Sequence, residues 1–358
     1  MKTYHLDALI DAHTLPASAL TIGNFDGVHR GHQAMLAKLR SIAKPLQLAT
    51  AVMIFEPQPR EYFATLNGMP DNAPARLSTL QEKQRLLAQN GVDMVIVARF
   101  DDAFRSLSAS EFADMLLQRL GVQALVLGDD FRFGHDRTGD STFLRNYGLP
   151  VTNLHTVTDA PASNTNNANN KMANETIDNR ISSTRIRQCL QQGDLATANH
   201  LLGYDYGITG QVISGDKIGR TLAFPTANVA LNRIKPALHG IYGVDVVVVD
   251  DDGNVIENGF YHNSEQSEQS EKNGIAGLRA HSLFGAANIG VRPAINKPHD
   301  WRLEVHFPNF GGDLYNKNLN VRFLHFLHAE RNYTDLQALQ AGIKNDVSEL
   351  LKWRQQQG

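Results

Sequence analysis

A single cysteine, Cys189, stands in 358 residues, so no disulfide can form within the chain and a reducing compartment is expected. No apolar run approaches the ~20 residues that a membrane helix needs. The N-terminus lacks the basic-then-apolar pattern of a secretory signal. A cytoplasmic location with no membrane partner is the expectation. A basic block is missing too: 34 Lys and Arg against 37 Asp and Glu leave a net charge of −3. Broad binding to a phosphate backbone needs clustered cations, so no nucleic-acid partner is expected. Internal repeats are also absent. The length exceeds the usual size of one domain, and 42% apolar residues suffice for two cores.

The first 155 residues alternate short branched-apolar runs with helix-period segments. Leu20–Gly23, Leu48–Phe55, Met94–Ala98, Ala124–Leu127 and Val151–Leu154 read as strands, and Gly31–Ala43, Ser78–Asn90 and Ser108–Leu120 as helices. Ser78 with Gln81 and Ser108 with Glu111 fit capping boxes. Such alternation predicts a doubly wound, Rossmann-like parallel sheet, with ligands beyond the carboxyl ends of its strands. Residues 161–179, rich in Ser, Asn and Ala, have too little apolar surface to order themselves. Ser182–Leu190 and Asp194–Leu202 read as short helices.

From Gly207 onward the pattern becomes strand and turn. Ile208–Ile213, Ile241–Val249, Asn254–Phe260, Leu283–Ile289, Trp301–Phe307 and Asn320–Leu327 predict a six-stranded antiparallel β-barrel. In Trp301–Phe307, Trp301, Leu303, Val305 and Phe307 share one face and Arg302, Glu304 and His306 the other. A C-terminal helix follows, with Thr334 and Gln337 as its box and Leu336, Leu339, Ile343, Val347 and Leu350 as its apolar stripe. Residues 263–272 repeat Ser-Glu-Gln and read as an exposed loop. The expected domains are 1–203 and 204–358.

Gly23-Asn24-Phe25-Asp26-Gly27-Val28-His29-Arg30-Gly31-His32 joins the first predicted strand to the first helix. Gly31 lets backbone approach a ligand, the helix start offers free N–H groups, and neutral imidazoles can hold phosphate oxygens as charge builds on a leaving pyrophosphate. Gly23, Phe25, Asp26, Gly27 and Gly31 are expected to border the nucleotide, and His29 and His32 to act on it. No residue here supplies a nucleophile, which implies direct attack by a bound substrate on the α-phosphate of ATP. Alone, H-x-G-H also fits two histidines at a polar turn. Ser182-Ser183-Thr184-Arg185 adds hydroxyls and a guanidinium able to clamp phosphate from a second side. Pro57 and Gln58, with Asp130, Phe131 and Phe133, fall at neighbouring strand ends, where the rings suit a flat heterocycle.

With these motifs the chain resembles the bacterial bifunctional riboflavin kinase/FAD synthetase family. The resemblance rests on IGNFDGVHRGHQ, IFEPQPR, RLSTLQEK, GDDFRFG and ISSTRIR, then GRTLAFPTAN, ANIGVRP and LEVHF…GDLY. These occur in family order and span nearly the whole chain outside the two low-complexity inserts. It implies that ATP and riboflavin give FMN in the barrel, and that ATP and FMN give FAD in the N-terminal domain. FMN and FAD are then products, not redox cofactors. By residue chemistry, Gly215, Lys217, Gly219 and Arg220 form a Gly-bracketed cationic loop fit to cover phosphate, or an ordinary hairpin. The resemblance assigns Thr226 and Asn228 to Mg²⁺-ATP and Glu304 to the general base; hard oxygens suit Mg²⁺.

The chain departs from the family at Gln58, where relatives usually carry His. A riboflavin kinase with impaired adenylyl transfer is therefore one alternative reading. A flavin- or nucleotide-binding regulator without turnover is another, although His29, His32, Arg185 and Glu304 together exceed what binding requires.

Overall fold

The computed structural model describes residues 1–8, 15–159, 179–215, 224–257, 259–260, 282–292, 300–308 and 310–357. Two compact units result: Met1–Pro74 with Lys83–Arg185, and Ala75–Glu82 with Ile186–Gly358. Nearly all of the Asn-rich stretch, the whole Ser-Glu-Gln stretch, and Lys217, Gly219 and Arg220 lie outside the described residues. Among those described, no helix is long and apolar enough to cross a membrane.

In the first unit, β1 (Lys2–His5), β2 (Ser18–Ile22), β3 (Ala49–Glu56), β4 (Met94–Arg99), β5 (Val122–Gly128) and β6 (Val151–Leu154) form one sheet. Their order is β1-β4-β3-β2-β5-β6 and every pairing is parallel. β2 is buried along its whole length, as expected when both sheet faces are covered. Around the sheet run α1 (Arg30–Ala43), α2 (Pro59–Leu66), α3 (Leu80–Gln89), α4 (Asp102–Arg105), α5 (Ala109–Asp114) and α6 (Ser141–Asn146). The doubly wound fold is as the sequence predicts. Strand β1 is an addition: four mostly exposed residues carry too short a pattern to register.

Two local expectations change here. The Ser108–Glu111 capping box forms, but its helix passes into a π turn at Met115–Arg119. The box expected of Ser78 and Gln81 instead joins Thr79 and Glu82, whose carboxylate accepts from the Thr79 amide at 2.7 Å. A charged acceptor outcompetes the neutral glutamine one residue earlier.

α7 (Ser183–Gln191) and α8 (Leu195–Leu202) precede the barrel. In the second unit β7 (Gly207–Ile213), β8 (Thr226–Val229), β9 (Gly240–Val249), β10 (Leu283–Arg292), β11 (Asp300–His306) and β12 (Asn318–His328) close in the order β10-β11-β8-β7-β12-β9. Ile208, Val246, Ile289, Leu303, Val305, Val321 and Phe323 fill the barrel core. The strand expected at Asn254–Phe260 is not formed among its described residues; only Val255 bridges to Val249. Its place is taken by β8, inside Phe-Pro-Thr-Ala-Asn.

The last helix, α9 (Leu336–Gln356), starts from Asp335, whose side chain accepts from the Ala338 amide at 2.8 Å. The Thr334–Gln337 box is thus displaced by a carboxylate, which complements a helix N-terminus better. Leu336 is exposed, so the apolar stripe begins only at Leu339. Farther along, Arg354 and Arg322 each donate to buried Asp245 at 2.9 Å, and Trp353 stacks on His325 at 4.6 Å.

The segment Ala75–Glu82 is tied into the second unit. Arg233, with a fully buried side chain, donates twice to Glu82 at 3.0 and 2.8 Å, while the Thr209 amide donates to the same carboxylate at 2.7 Å. Arg187 donates to the Ala75 carbonyl at 2.6 Å.

Candidate active sites

In the first unit the chain leaves β2 toward one side of the sheet and β5 toward the other. The loops after these two strands flank the point where the strand order reverses, which is where open parallel sheets bind ligands. After β2, Phe25, Gly27 and Val28 all take positive φ, at 48°, 77° and 36°. Phe25 and Val28 are held there by complete burial, so local strain is maintained by packing. His29 follows as N-cap of α1, and its ring accepts from the His32 amide at 3.4 Å. The two imidazoles stack with centroids 3.7 Å apart, and Phe25 lies 4.7 Å from His32. A Cβ on Gly31 would press on the His29 ring at 3.2 Å and on the Ile181 carbonyl at 3.4 Å. Gly31 therefore lets the second motif cross the first.

That crossing brings the two sequence motifs together. Ser183 Oγ donates to the Asp26 carbonyl at 2.9 Å, and the Arg185 amide donates to Ser182 Oγ at 3.3 Å. Thr184 lies between them at the start of α7. Arg185 reaches Asp159 at 3.3 Å through one Nη, while its other Nη is enclosed without a hydrogen-bond partner among the described residues. The His32 Nδ1 is likewise enclosed and unpartnered. Burial drives the His32 pKa well below the usual histidine range, with His29 and Lys83 adding to the shift, so the imidazole is neutral at neutral pH. Arg30 is exposed.

The ends of the Asn-rich stretch meet in a neck. Thr158 bridges Arg180, the Asp159 amide donates to the Asn179 carbonyl at 2.8 Å, and the Ile181 amide donates to the Val157 carbonyl at 3.0 Å.

Of the residues expected around a flat ring, Pro57 is exposed and Gln58 buried. Gln58 starts α2 in a capping box with Glu61, and its Nε2 is enclosed with no partner among the described residues. Phe133 is a core residue packed on Phe112 at 4.9 Å; Phe131 stacks on it at 5.7 Å and stays partly open. Asp130 is exposed and pairs with Arg180 at 3.2 Å. The sequence reading missed an aromatic wall at the ends of β3 and β4. Tyr62 and Phe63 both pack on Phe100, at 5.4 and 5.9 Å, and Phe63 remains exposed. Its signal was the Tyr-Phe pair of α2, in a stretch to which the sequence analysis assigns no element. Lys83, fully buried and felt electrostatically by His32, was missed because a lysine in a polar helix looks like a surface residue.

In the second unit a cavity of about 370 Å³ opens between the barrel and α9. Thr226, Asn228, Asn288 and Glu304 line it from β8, β10 and β11, with Leu339, Ile343 and Val347 on the α9 side. The sheet register explains the cluster: Asn228 and Asn288 both pair with Glu304, and Thr226 pairs with His306. Alternation therefore sets Thr226, Asn228, Glu304 and His306 on one barrel face. Asn288 Oδ1 is enclosed with no partner among the described residues. His306 Nδ1 lies 3.0 Å from the Pro225 carbonyl, and burial lowers its pKa. A second cavity of about 510 Å³ lies on the other side of Thr226, between Pro225, Phe307, Phe310 and Tyr315. Thr226 is common to both. Gly215 runs against the Asn228 amide, leaving no room for a Cβ. The hydroxyl and amide oxygens of Thr226 and Asn228 are the hard, neutral donors that suit Mg²⁺ when phosphate supplies the charge.

The FAD synthetase family model matches residues 11–169 and the riboflavin kinase family model residues 202–354. The bifunctional riboflavin kinase/FMN adenylyltransferase of Escherichia coli K12 is 39% identical over 332 residues, covering 91% of this chain and 90% of that protein. The Pseudomonas fluorescens protein of the same name is 41% identical, covering 92% and 90%. A Streptococcus pneumoniae crystal structure named as a macrolide-efflux protein aligns with TM-score 0.72 at 24% identity, over 99% of this chain and all of that one, and supports the fold alone. By motif order, fold and similarity along nine-tenths of its length, the chain belongs to the bifunctional riboflavin kinase/FMN adenylyltransferase family.

Proposed function

We propose that this chain makes FAD from riboflavin in two ATP-dependent steps, one in each expected domain, 204–358 and then 1–203. The observation that carries the reading is Glu304, set with Thr226 and Asn228 on one wall of a cavity that α9 closes with apolar side chains. Riboflavin fills that cavity with its ring against Leu339 and Ile343 and its terminal hydroxyl toward Glu304. ATP occupies the cavity beyond Thr226, so the γ-phosphate meets the hydroxyl at the strand both cavities share. Thr226 and Asn228 would hold Mg²⁺ together with phosphate oxygens, and the ion would supply charge neutralisation at the transferring group. Glu304 takes the hydroxyl proton as the hydroxyl oxygen bonds to the γ-phosphorus, and ADP leaves with the bridging oxygen. Gly215, Lys217, Gly219 and Arg220 supply the glycines and cations that binding of the phosphates calls for.

In the first unit an FMN phosphate oxygen attacks the α-phosphorus of a second ATP, and pyrophosphate departs. His29, His32, Ser182, Ser183, Thr184 and Arg185 hold the phosphates, while Gly23, Phe25, Asp26, Gly27 and Gly31 bring backbone close to the nucleotide. Pro57, Asp130 and Phe131 frame the flavin, with Phe63 and Phe100 as a further wall; Gln58 and Phe133 support that frame from beneath, as buried residues. Arg185, already beside the crossing of the two motifs, exchanges Asp159 for phosphate.

The purified chain with riboflavin, ATP and Mg²⁺ is expected to give FMN first and FAD after it, separated by chromatography. Failure to form either product would overturn the reading; FMN without FAD would leave only the kinase.

A further inference from the structure

Asn288 stands in the middle of β10, a strand of 10 residues. Asparagine suits strands poorly, because its amide competes for nearby backbone, so its place there calls for a reason other than pairing. The sheet register supplies one. Asn288 pairs with Glu304 on β11 and with Ile241 on β9, while Glu304 pairs with Asn228 on β8. Residues directly opposed in this way share a face, with Cβ atoms about 5 Å apart. Asn228, Glu304, Asn288 and Ile241 thus form one row across the barrel wall, and all of them line the cavity. The adjoining pair, Ile289 with Leu303, is buried in the barrel core.

Along that row the chemistry changes in order, from the amide fit for a metal, to the carboxylate, to a neutral amide, to hydrocarbon. Asn228 and Glu304 serve the phosphate and the hydroxyl that attacks it. Asn288 lies one strand farther from the phosphates, beside the base and before the apolar surface begins. The other β10 residues at the cavity, Ala286 and Ala287, bring no polar side-chain atom. Asn288 Oδ1 is enclosed and accepts no hydrogen bond among the described residues, a costly state for a buried acceptor. Rotation of the carboxamide about its last single bond turns either end to the cavity, so it can accept from a hydroxyl or donate to one.

We propose that Asn288 selects the chain that is phosphorylated: its side-chain carbonyl accepts from a secondary hydroxyl of the ribityl chain while the terminal hydroxyl lies at Glu304. This rests on the reading that the cavity takes riboflavin. Neighbouring hydroxyls of a polyol are close enough for Glu304 and Asn288, opposed across two paired strands, to hold one each. The kinase site is thereby specific for a flavin with a polyhydroxylated chain. A chain that ends in a hydroxyl but lacks the others is rejected, because it leaves the Asn288 amide unmet. The same hydrogen bond fixes the rotation of the chain and so aims its terminal oxygen.

The test compares two acceptors on the full chain at saturating MgATP: riboflavin, and a flavin whose ribityl chain is replaced by a pentyl chain bearing only the terminal hydroxyl. Phosphorylation of each is followed by chromatography. Wild type should prefer riboflavin by about 10²-fold or more in kcat/KM. Asn288→Ala should lower kcat/KM for riboflavin by about tenfold and leave the pentyl analogue within about twofold, so that the preference narrows by the same factor. Its KM for ATP should stay within about twofold of wild type, since the phosphates lie on the other side of Glu304. A merely structural role for Asn288 would slow both acceptors alike, and that result overturns the proposal. So does a wild type that treats the two flavins equally, or an Asn288→Ala variant whose preference is unchanged. Should Asn288→Ala fail to fold, Asn288→Val, which removes the amide and favours a strand, decides alone by the same ratio. A wild type that forms no FMN from riboflavin defeats the functional reading instead.

Discussion

At the scale of single residues, the first site turns on a group whose protonation the fold fixes. His32 is held neutral by burial and by the nearby charges of His29 and Lys83. Because the folded form binds a proton less readily than the unfolded chain, stability from this site is fully present above the ordinary histidine value of 6.5. It is lost as pH falls from there through the folded value, since the unfolded chain takes up the proton first. Denaturant titrations at several pH values should show this decline in wild type and a shallower one in His32→Gln. The same substitution should cut FAD formation by about 10²- to 10³-fold, the usual cost of losing one preorganised donor, while FMN formation persists. Glu304→Gln should show the mirror image. FMN formation falls by about 10²- to 10⁴-fold, yet FAD still forms when FMN is supplied. Chromatography of the two flavin products distinguishes these patterns. His29, His32 and Arg185 could be proposed from the sequence because their neighbours form unusual strings, and Glu304 through the family resemblance. Lys83 and Phe63 could not, because each sits in an ordinary helical pattern and gains meaning only from what the fold brings beside it.

At the scale of elements, the parallel sheet was legible because β2 to β5 are continuous apolar runs, a signal that survives without long-range information. The barrel was legible in outline and misassigned in one strand. β8 alternates as a strand should, with Ala227 and Val229 buried and Thr226 and Asn228 toward a cavity, but its four residues are too short a run to register. Asn254–Phe260 had the better pattern and did not form one. Helix starts slipped by one residue where two capping candidates adjoin, at Ser78 and Thr79 and at Thr334 and Asp335; each time a carboxylate decided the register. The Asn-rich stretch enters and leaves through the paired neck at Val157–Asp159 and Asn179–Ile181, so its presence need not disturb the Ser182–Arg185 clamp. Deleting residues 161–178 and joining the ends through a short Gly-Ser turn should leave the FAD-forming rate within about threefold, a small effect for a change that spares every phosphate contact. A larger loss would mean that the stretch takes part in turnover. At the other end of the chain, Asp245 receives Arg322 and Arg354. Asp245→Asn should therefore cost about 2–3 kcal/mol of barrel stability in denaturant melts, because Arg354 loses its carboxylate and Arg322 keeps only Asp205.

At the scale of the whole molecule, the sequence suggested two consecutive domains divided at 203/204, whereas Ala75–Glu82 belongs to the compact unit that contains the barrel. The bond between Glu82 and the fully buried Arg233 makes that membership energetic as well as geometric. Glu82→Gln should lower the stability of the second unit by about 3–5 kcal/mol, because it strands a buried guanidinium. Melting followed by riboflavin kinase activity should report the loss, and a fragment beginning at residue 204 should be weakened in the same way. Periodicity could not reveal this, since Glu82 lies in a good helical pattern and its partner is 151 residues distant. A consequence follows for inheritance and for engineering alike. The chain passes from one unit to the other at 74/75, at 82/83 and at 185/186, so neither unit is one continuous stretch of sequence, and Ala75–Glu82 is a stitch of the second within the first. No single break in the gene, and no single protease cut, can release both intact. An ancestor or a designer wishing to part the two activities would have to leave a copy of the eight-residue stitch with the barrel.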